Sequence, residues 1–233
     1  MTQRCSNAIY DAACRACPRL ADFLDTVRRD QPDYFALPVP PFGSALSAAG
    51  AQAAGAQAAA GHTDLLIVGL APGMHGANRT GRPFTGDYAG ILLYQTLHRF
   101  GFADRVGTAD PQDGLQLLRT RLTNAVKCLP PQNKPLPAEI RQCNHFLAAE
   151  LAQAQPRAVL ALGTVAHQAV LMAAGCKPAA YRFAHGAAHD IAATDGDFTL
   201  FDSYHCSHYN TNTRRLTSEM FEAVFQSIRA YLG

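Results

Sequence analysis

Leu65-Leu66-Ile67-Val68-Gly69-Leu70 runs directly into Ala71-Pro72-Gly73-Met74-His75-Gly76-Ala77-Asn78-Arg79-Thr80-Gly81-Arg82-Pro83-Phe84-Thr85-Gly86-Asp87, and this stretch decides the fold class. An unbroken apolar run of that length, rich in branched side chains, reads as a strand buried on both faces. The segment after it therefore emerges at a strand's carboxyl end, which is where open α/β sheets bind ligands. Glycines at 69, 73, 76, 81 and 86, mixed with a histidine, two arginines and a phenylalanine, have the composition of a tight pocket rather than of a plain connection.

Outward from this segment, residues 122–126, 158–162 and 198–204 read as three further strands. Helical spacing is found over residues 10–30, from Asp87 as N-cap to about Gly101, from Pro137 to Pro156, from Gly163 to Gly175, and from Thr217 or Ser218 onward. Alternating strands and helices predict an α/β fold: a three-layer α/β/α sandwich on a central four-stranded, mostly parallel sheet. One domain spanning 1–233 is expected, interrupted at about 44–62 by a flexible, peripheral Ala/Gly-rich insertion that offers no large apolar side chain for packing.

The chain has 233 residues, 48% hydrophobic and 16% charged, an ordinary globular composition with no apolar stretch long enough to span a bilayer. No secretory h-region follows the N-terminus, so a cytoplasmic protein is expected. A net charge of +2 does not by itself announce nucleic acid. Its distribution is more informative, because Arg79, Arg82, Lys127, Lys134, Arg214 and Arg215 all fall in loops expected to share one face.

Three groups of residues could carry chemistry. Cys14 and Cys17 form a Cys-x-x-Cys, and Cys128 and Cys143 a second pair; in a reducing compartment four such thiols suit tetrahedral zinc or a four-iron, four-sulfur cluster, and spacing does not choose between them. Ser203-Tyr204-His205-Cys206-Ser207-His208-Tyr209-Asn210-Thr211-Asn212-Thr213-Arg214-Arg215 begins at a strand end and combines small polar side chains with two arginines, a composition suited to phosphate contact. His205 stands at its mouth as a hydrogen-bond donor to a ligand. In the third group Asn124 interrupts an apolar strand on the way to the same sheet edge, where a buried amide needs a partner. Phe84, on the glycine loop, is placed to stack. The first half of that loop has no carboxylate, so Asn78, helped by His75, is expected to position a water, with Asp87 as the rival in a helix-capping role.

Together these segments resemble the family 5, or type B, uracil-DNA glycosylases of bacteria and archaea. The resemblance covers nearly the whole chain and rests on the motif from Gly69 to Asp87 and on that from His205 to Leu216. It implies hydrolysis of the N-glycosidic bond of uracil, and of other deaminated bases such as hypoxanthine or xanthine, or ethenocytosine, leaving an abasic site. It implies that Cys14, Cys17, Cys128 and Cys143 hold a structural 4Fe-4S cluster, with no diffusible cofactor. Ala71, Pro72, Gly73, Phe84 and Asn124 would then bind the flipped base, Asn78, His205 and His75 would be catalytic, and Arg79, Arg82, Ser207, Tyr209, Asn210, Asn212, Thr213, Arg214 and Arg215 would contact DNA. The expected partner is uracil-containing or otherwise deaminated DNA, met by a monomer at the nucleoid and not at a membrane. The chain departs from the family's usual pattern at Cys206, where a proline is usual, at Arg214, where a glycine is common, and at His208-Tyr209, which replace an amide pair. The alternative from another class is a non-catalytic iron-sulfur nucleic-acid-binding module, for which Phe84, Asn124 and His205 would be unnecessary.

Overall fold

A computed structural model describes residues 8–44 and 62–233. Most of the expected Ala/Gly-rich insertion lies outside the described residues. The elements run α1 (Pro18–Asp30), β1 (Phe42–Gly43), β2 (Leu65–Gly69), α2 (Ala77–Thr80), α3 (Tyr88–Arg99), β3 (Thr120–Asn124), α4 (Pro137–Ala154), β4 (Ala158–Leu162), α5 (Thr164–Ala173), β5 (Ala188–Ile191), β6 (Phe198–Ser203), α6 (His208–Asn212) and α7 (Ser218–Leu232), with two short 3₁₀ turns at Pro131–Asn133 and Pro178–Ala180.

The sheet has six strands in the order β1-β3-β2-β4-β6-β5, rather than the four expected. The β3-β2-β4-β6 pairings are parallel, whereas β1 and β5 add antiparallel edges. Both edges escaped the sequence reading for a physical reason. β1 is only two residues long, and Ala188-His189-Asp190-Ile191 buries only its last residue, so neither carries a hydrophobic period.

Alternate residues of the central strands feed two cores, as the period-two geometry of a strand requires. Leu65, Ile67, Leu122, Leu160 and Phe201 pack with Leu93 and Leu97 of α3 and with Phe221, Phe225 and Ile228 of α7. Leu66, Val68, Val159, Ala161 and Leu200 pack with Leu147 and Leu151 of α4 and with Ala166, Ala169 and Val170 of α5. A third cluster joins α1, through Leu20, Leu24 and Val27, to Val126, Leu129 and Phe146 and to the cysteine residues.

Two boundaries differ from expectation. β3 begins at Thr120 and not 122, because its polar residues are buried against partners elsewhere: Thr123 Oγ1 donates to Glu150 Oε2 at 2.7 Å, a long-range contact that no local pattern reveals. α1 starts at Pro18, so Cys14 and Cys17 lie in the turn that precedes it.

Phe225 is fully buried, with ring centroids 5.1 Å from Phe221 and 6.1 Å from both Phe100 and Phe102. Phe225→Ala should cost roughly 3–5 kcal/mol in a urea unfolding curve, because the emptied space is walled by rigid rings.

Candidate active site

The carboxyl ends of β2 and β3 meet at Gly69, and β4 separates them from the end of β6, where His205 lies beside Gly163. Gly69 is paired with Asn124 in the β2/β3 register, and a Cβ built on Gly69 would lie 2.5 Å from Asn124 Oδ1 and 2.6 Å from Phe84 Cζ. Real Cβ atoms do not approach that closely, so glycine here is what allows the amide and the aromatic ring to converge on the end of the strand. Asn124 is buried, and its side-chain amide makes no hydrogen bond to another described residue, which leaves the amide for a ligand.

Phe84 is buried with φ +57°, a left-handed conformation that is unfavourable for a bulky aromatic. Such strain costs about 1–3 kcal/mol and persists only where the surroundings over-determine it, typically at ligand clamps. Here the first turn of α3 presses on the Phe84 backbone: a Cβ on Gly90 would lie 1.8 Å from the Phe84 carbonyl oxygen. The result is an aromatic ring held 6.4 Å, centroid to centroid, from the His205 imidazole, with the planes inclined by 33°.

His205 follows β6 directly. Its carbonyl accepts from Asn210 Nδ2 at 2.8 Å, and Ser207 Oγ accepts from the Asn210 amide at 3.4 Å as the N-cap of α6. Ser207 and Asn210 thus brace the histidine backbone. Burial lowers the His205 pKa to about 4, so the ring is neutral at physiological pH. Cys206, where a proline was usual, is fully buried beneath this turn with its thiol pushed up to about 12 by desolvation.

The first motif is arranged differently from expectation at three residues. Asp87 occupies the N-cap position of α3 but its side chain makes no capping hydrogen bond. Its carboxylate instead reaches back to the Ala77 amide, 3.4 Å from Oδ2, across a floor of glycines; a Cβ would lie 1.9 Å from its Cγ at Gly76 and 2.7 Å from its Oδ1 at Gly73. Desolvation raises its pKa, partly offset by that amide, Arg79 and His75. His75 is exposed, with Nδ1 2.8 Å from the Tyr34 hydroxyl, a partner 41 positions away that no sequence signal pointed to. Asn78 is fully buried, and neither its Oδ1 nor its Nδ2 has a hydrogen-bond partner.

Arg82, expected to touch DNA, is turned inward. Its guanidinium binds Asp113 through contacts of 2.7 and 3.0 Å, donates to the Pro111 and Asp110 carbonyls at 3.1 Å, and lies 5.1 Å above the Phe42 ring. Charge assistance from Arg82 holds the Asp113 carboxyl well below its usual range. Lys127, also expected on the basic face, is buried, with Nζ 2.6 Å from Glu150 Oε2. Buried charges must be paired, and that requirement removes both residues from the surface.

The remaining basic and polar residues do form a rim. Tyr209 is 71% exposed at the tip of α6, beside Asn212, Thr213, Arg214 and Arg215. Arg215 lies over the Tyr204 ring at 4.7 Å, and Tyr204 stacks on His185 at 5.0 Å; the sequence reading assigned no role to His185. Arg214 takes φ +54°, which explains why a glycine is the easier residue at that position. Ala71, Pro72 and Gly73 form the near wall, continuing β2 by way of Val126, whose amide donates to the Leu70 carbonyl at 3.0 Å.

The four cysteines line one small cavity, along with Leu20, Pro38 and Phe146. Cys143 Sγ also accepts from the Lys127 amide at 3.4 Å. Burial and mutual proximity raise the Cys17 thiol to about 11 and that of Cys128 to about 12. Bidentate pairing of Arg19 with Glu139, at 2.8 and 2.7 Å, ties the helix after Cys17 to the helix that bears Cys143.

A flat aromatic, a free amide and a neutral imidazole around a glycine floor define a pocket for a planar heterocycle that carries both carbonyl and N–H groups. Comparison with known proteins agrees. The family model of the uracil DNA glycosylase superfamily matches residues 57–229. A type-5 uracil-DNA glycosylase of Thermus thermophilus is 40% identical over 95% of this chain and 94% of its own length. Those of Mycobacterium leprae and Pyrobaculum aerophilum are 41% and 36% identical, over 95% and 94% of this chain and 93% and 89% of theirs. The chain belongs to the uracil-DNA glycosylase superfamily, among the type-5 enzymes.

Gly69→Ala tests the floor of the pocket. The variant should retain its far-UV circular dichroism yet lose affinity for a uracil-containing duplex, because the new methyl must displace Asn124 or Phe84.

Proposed function

We propose that this protein excises uracil from DNA by hydrolysing the N-glycosidic bond, leaving an abasic site. The observation that carries the reading is the convergence of Asn124 and Phe84 on Gly69, with His205 facing the Phe84 ring, in a member of this family. A base inside a duplex is out of reach of such a pocket, so the nucleotide must be flipped, at an unstacking cost of a few kcal/mol. Phe84 offsets that cost by stacking, and Asn124 by pairing with the polar edge of the base.

As the bond stretches, negative charge gathers on the leaving base. A preorganised donor aimed at the base oxygen is then worth more than it was in the ground state. His205 supplies it as a neutral imidazole, whose N–H donates without transferring a full charge. The pH dependence follows in sign: the His205 imidazole stays neutral down to about 4 and does not titrate through the usual histidine range, so uracil excision should fall on the acid side as the Asp87 carboxyl, its pKa raised by desolvation, takes up a proton.

For the attacking water, we assign the role to Asp87 in place of Asn78. Asn78 is sealed from solvent, and His75 is engaged with Tyr34. Asp87 is released from capping and presents a partly exposed carboxylate in the glycine cradle. Asn78 then shapes the cradle, with its backbone N–H donating to the Gly73 carbonyl at 3.0 Å. The absence of a carboxylate from the first half of the motif leaves room for other deaminated bases, hypoxanthine and xanthine among them, and for ethenocytosine. On the rim, Tyr209 is the side chain we assign to the gap left in the helix, with Asn212, Thr213, Arg79, Arg214 and Arg215 on phosphates.

Cys14, Cys17, Cys128 and Cys143 fit a 4Fe-4S cluster: all four face one cavity, but no three of their sulfurs lie within 4.8 Å of one another, as a single tetrahedral ion would require. Bound there, the cluster would supply thiolate cross-links between the turn before α1, the end of β3 and α4, and no chemistry at the pocket. We read the protein as a monomer acting at DNA; no helix among the described residues is long and apolar enough to cross a membrane.

Two experiments test the reading. On a duplex with uracil opposite guanine, His205→Ala should lower the single-turnover rate roughly 10²-fold or more. Asp87→Asn should lower it by a similar order if that carboxylate acts as general base, roughly 10²-fold; a larger loss in Asn78→Ala than in Asp87→Asn would return the water to Asn78. Strand breaks should appear only after alkali, and DNA binding with no abasic product would favour the non-catalytic module. Cys17→Ser should lose iron and acid-labile sulfide together with thermal stability, and unchanged iron content in that variant would remove the cluster assignment.

A further inference from the structure

At the β6-β5 edge of the sheet, opposite the β3 edge, α5, β5 and β6 bring two imidazoles onto one carboxylate. His167 Nδ1 lies 2.7 Å from Asp202 Oδ1, and His189 Nε2 lies 3.2 Å from Asp202 Oδ2. Among the described residues these form the one group of three histidine, cysteine or acidic side chains whose ligand atoms all lie within 4.8 Å of one another. Asp202 is fully buried and His167 almost so, while His189 opens toward the surface and offers a path of entry.

The Asp202 carboxylate faces both imidazoles, with the Ala184 backbone N–H as a further donor to Oδ2 at 3.4 Å. His167 Nε2 is 3.0 Å from the Tyr181 carbonyl oxygen, which can only accept, so Nε2 carries the hydrogen. In the neutral ring the Nδ1 lone pair then points at the lone pairs of Asp202. A proton on Nδ1 would relieve that repulsion for one histidine. A divalent ion relieves it and at the same time gives His189 Nε2, on the other oxygen of the carboxylate, a common centre to bind. A backbone carbonyl behind the distal nitrogen is also the arrangement that orients imidazoles bound to metals. Two imidazole nitrogens and a carboxylate oxygen suit zinc and neighbouring first-row divalent ions, with a fourth position left for water.

We propose that His167, His189 and Asp202 form a zinc-type divalent metal site, independent of the four cysteines. It would pin α5 to the β5-β6 edge, at the carboxyl end of β6, whose next turn carries His205. The role is structural, since the ligands face the α5 side of the sheet and not the pocket.

The test uses the whole protein with its cysteine ligands intact, stripped by chelator, desalted, and titrated with Co²⁺ alone. One equivalent should bind with the visible d–d bands of a nitrogen and oxygen site and without the near-ultraviolet thiolate charge transfer that cysteine ligation produces. His189→Ala, at the partly exposed edge, should fold normally and lose this equivalent. Zn²⁺ should raise the unfolding midpoint of the wild type and leave that of His189→Ala unmoved. X-ray absorption at the zinc edge of the wild type addresses the same question without a variant, and a nitrogen and oxygen shell is expected. No cobalt uptake, uptake showing only thiolate charge transfer, a sulfur shell, or equal uptake in His189→Ala would each overturn the site.

Discussion

No side chain can stand at the end of β2. Because Gly69 is paired with Asn124 and covered by Phe84, only a hydrogen atom fits where the Asn124 amide and the Phe84 ring close on the end of the strand. Other features serve this approach. The parallel register of β2 and β3 brings Asn124 level with Gly69, α3 presses Phe84 into its left-handed backbone, and the next parallel pairs carry β6 close enough for His205 to complete the set.

The second constraint is electrostatic. The core at the end of β3 holds Glu150, fully buried, with Lys127 Nζ and Thr123 Oγ1 on one oxygen and Arg121 4.0 Å from the other. Burying such charges costs several kcal/mol each unless they are paired with good geometry. The network therefore fixes the chain on both sides of Asn124, from Arg121 through Lys127 to the adjoining Cys128. One buried carboxylate thus aligns Asn124 with Cys128, and pairing with it is why Lys127 faces inward. Arg82 and Asp113 make the same bargain beneath the first motif, anchoring the loop that carries Phe84.

The two ends of the pocket differ in solvation, and their chemistry follows. His205, surrounded by apolar groups, is kept neutral and so donates without titrating near neutral pH. Asp87, in a cradle with one amide and flanking basic groups, stays partly exposed and within reach of water. Under the proposed function, an uncharged donor toward the leaving base and a carboxylate toward the sugar would suit a bond that breaks toward charge separation.

The sequence by itself determined the parallel centre of the sheet, the glycine loop at its carboxyl edge, and the strand ends and loop on which Phe84, Asn124 and His205 lie. Those signals are local: an apolar run, glycines at fixed spacing, a polar residue breaking an apolar strand. β4 was legible to the residue, from Ala158 to Leu162, because nothing distant competes with its hydrophobic run. Only the tertiary structure decided the antiparallel edges, whose residues lack a period, and the fates of Arg82, Lys127, Asp87 and His75. Each of those four is set by a partner far along the chain or across a turn: Asp113, Glu150, the Ala77 amide and Tyr34. A charged side chain has the same local signature whether it faces solvent or a buried counter-ion, and only the folded chain supplies the counter-ion.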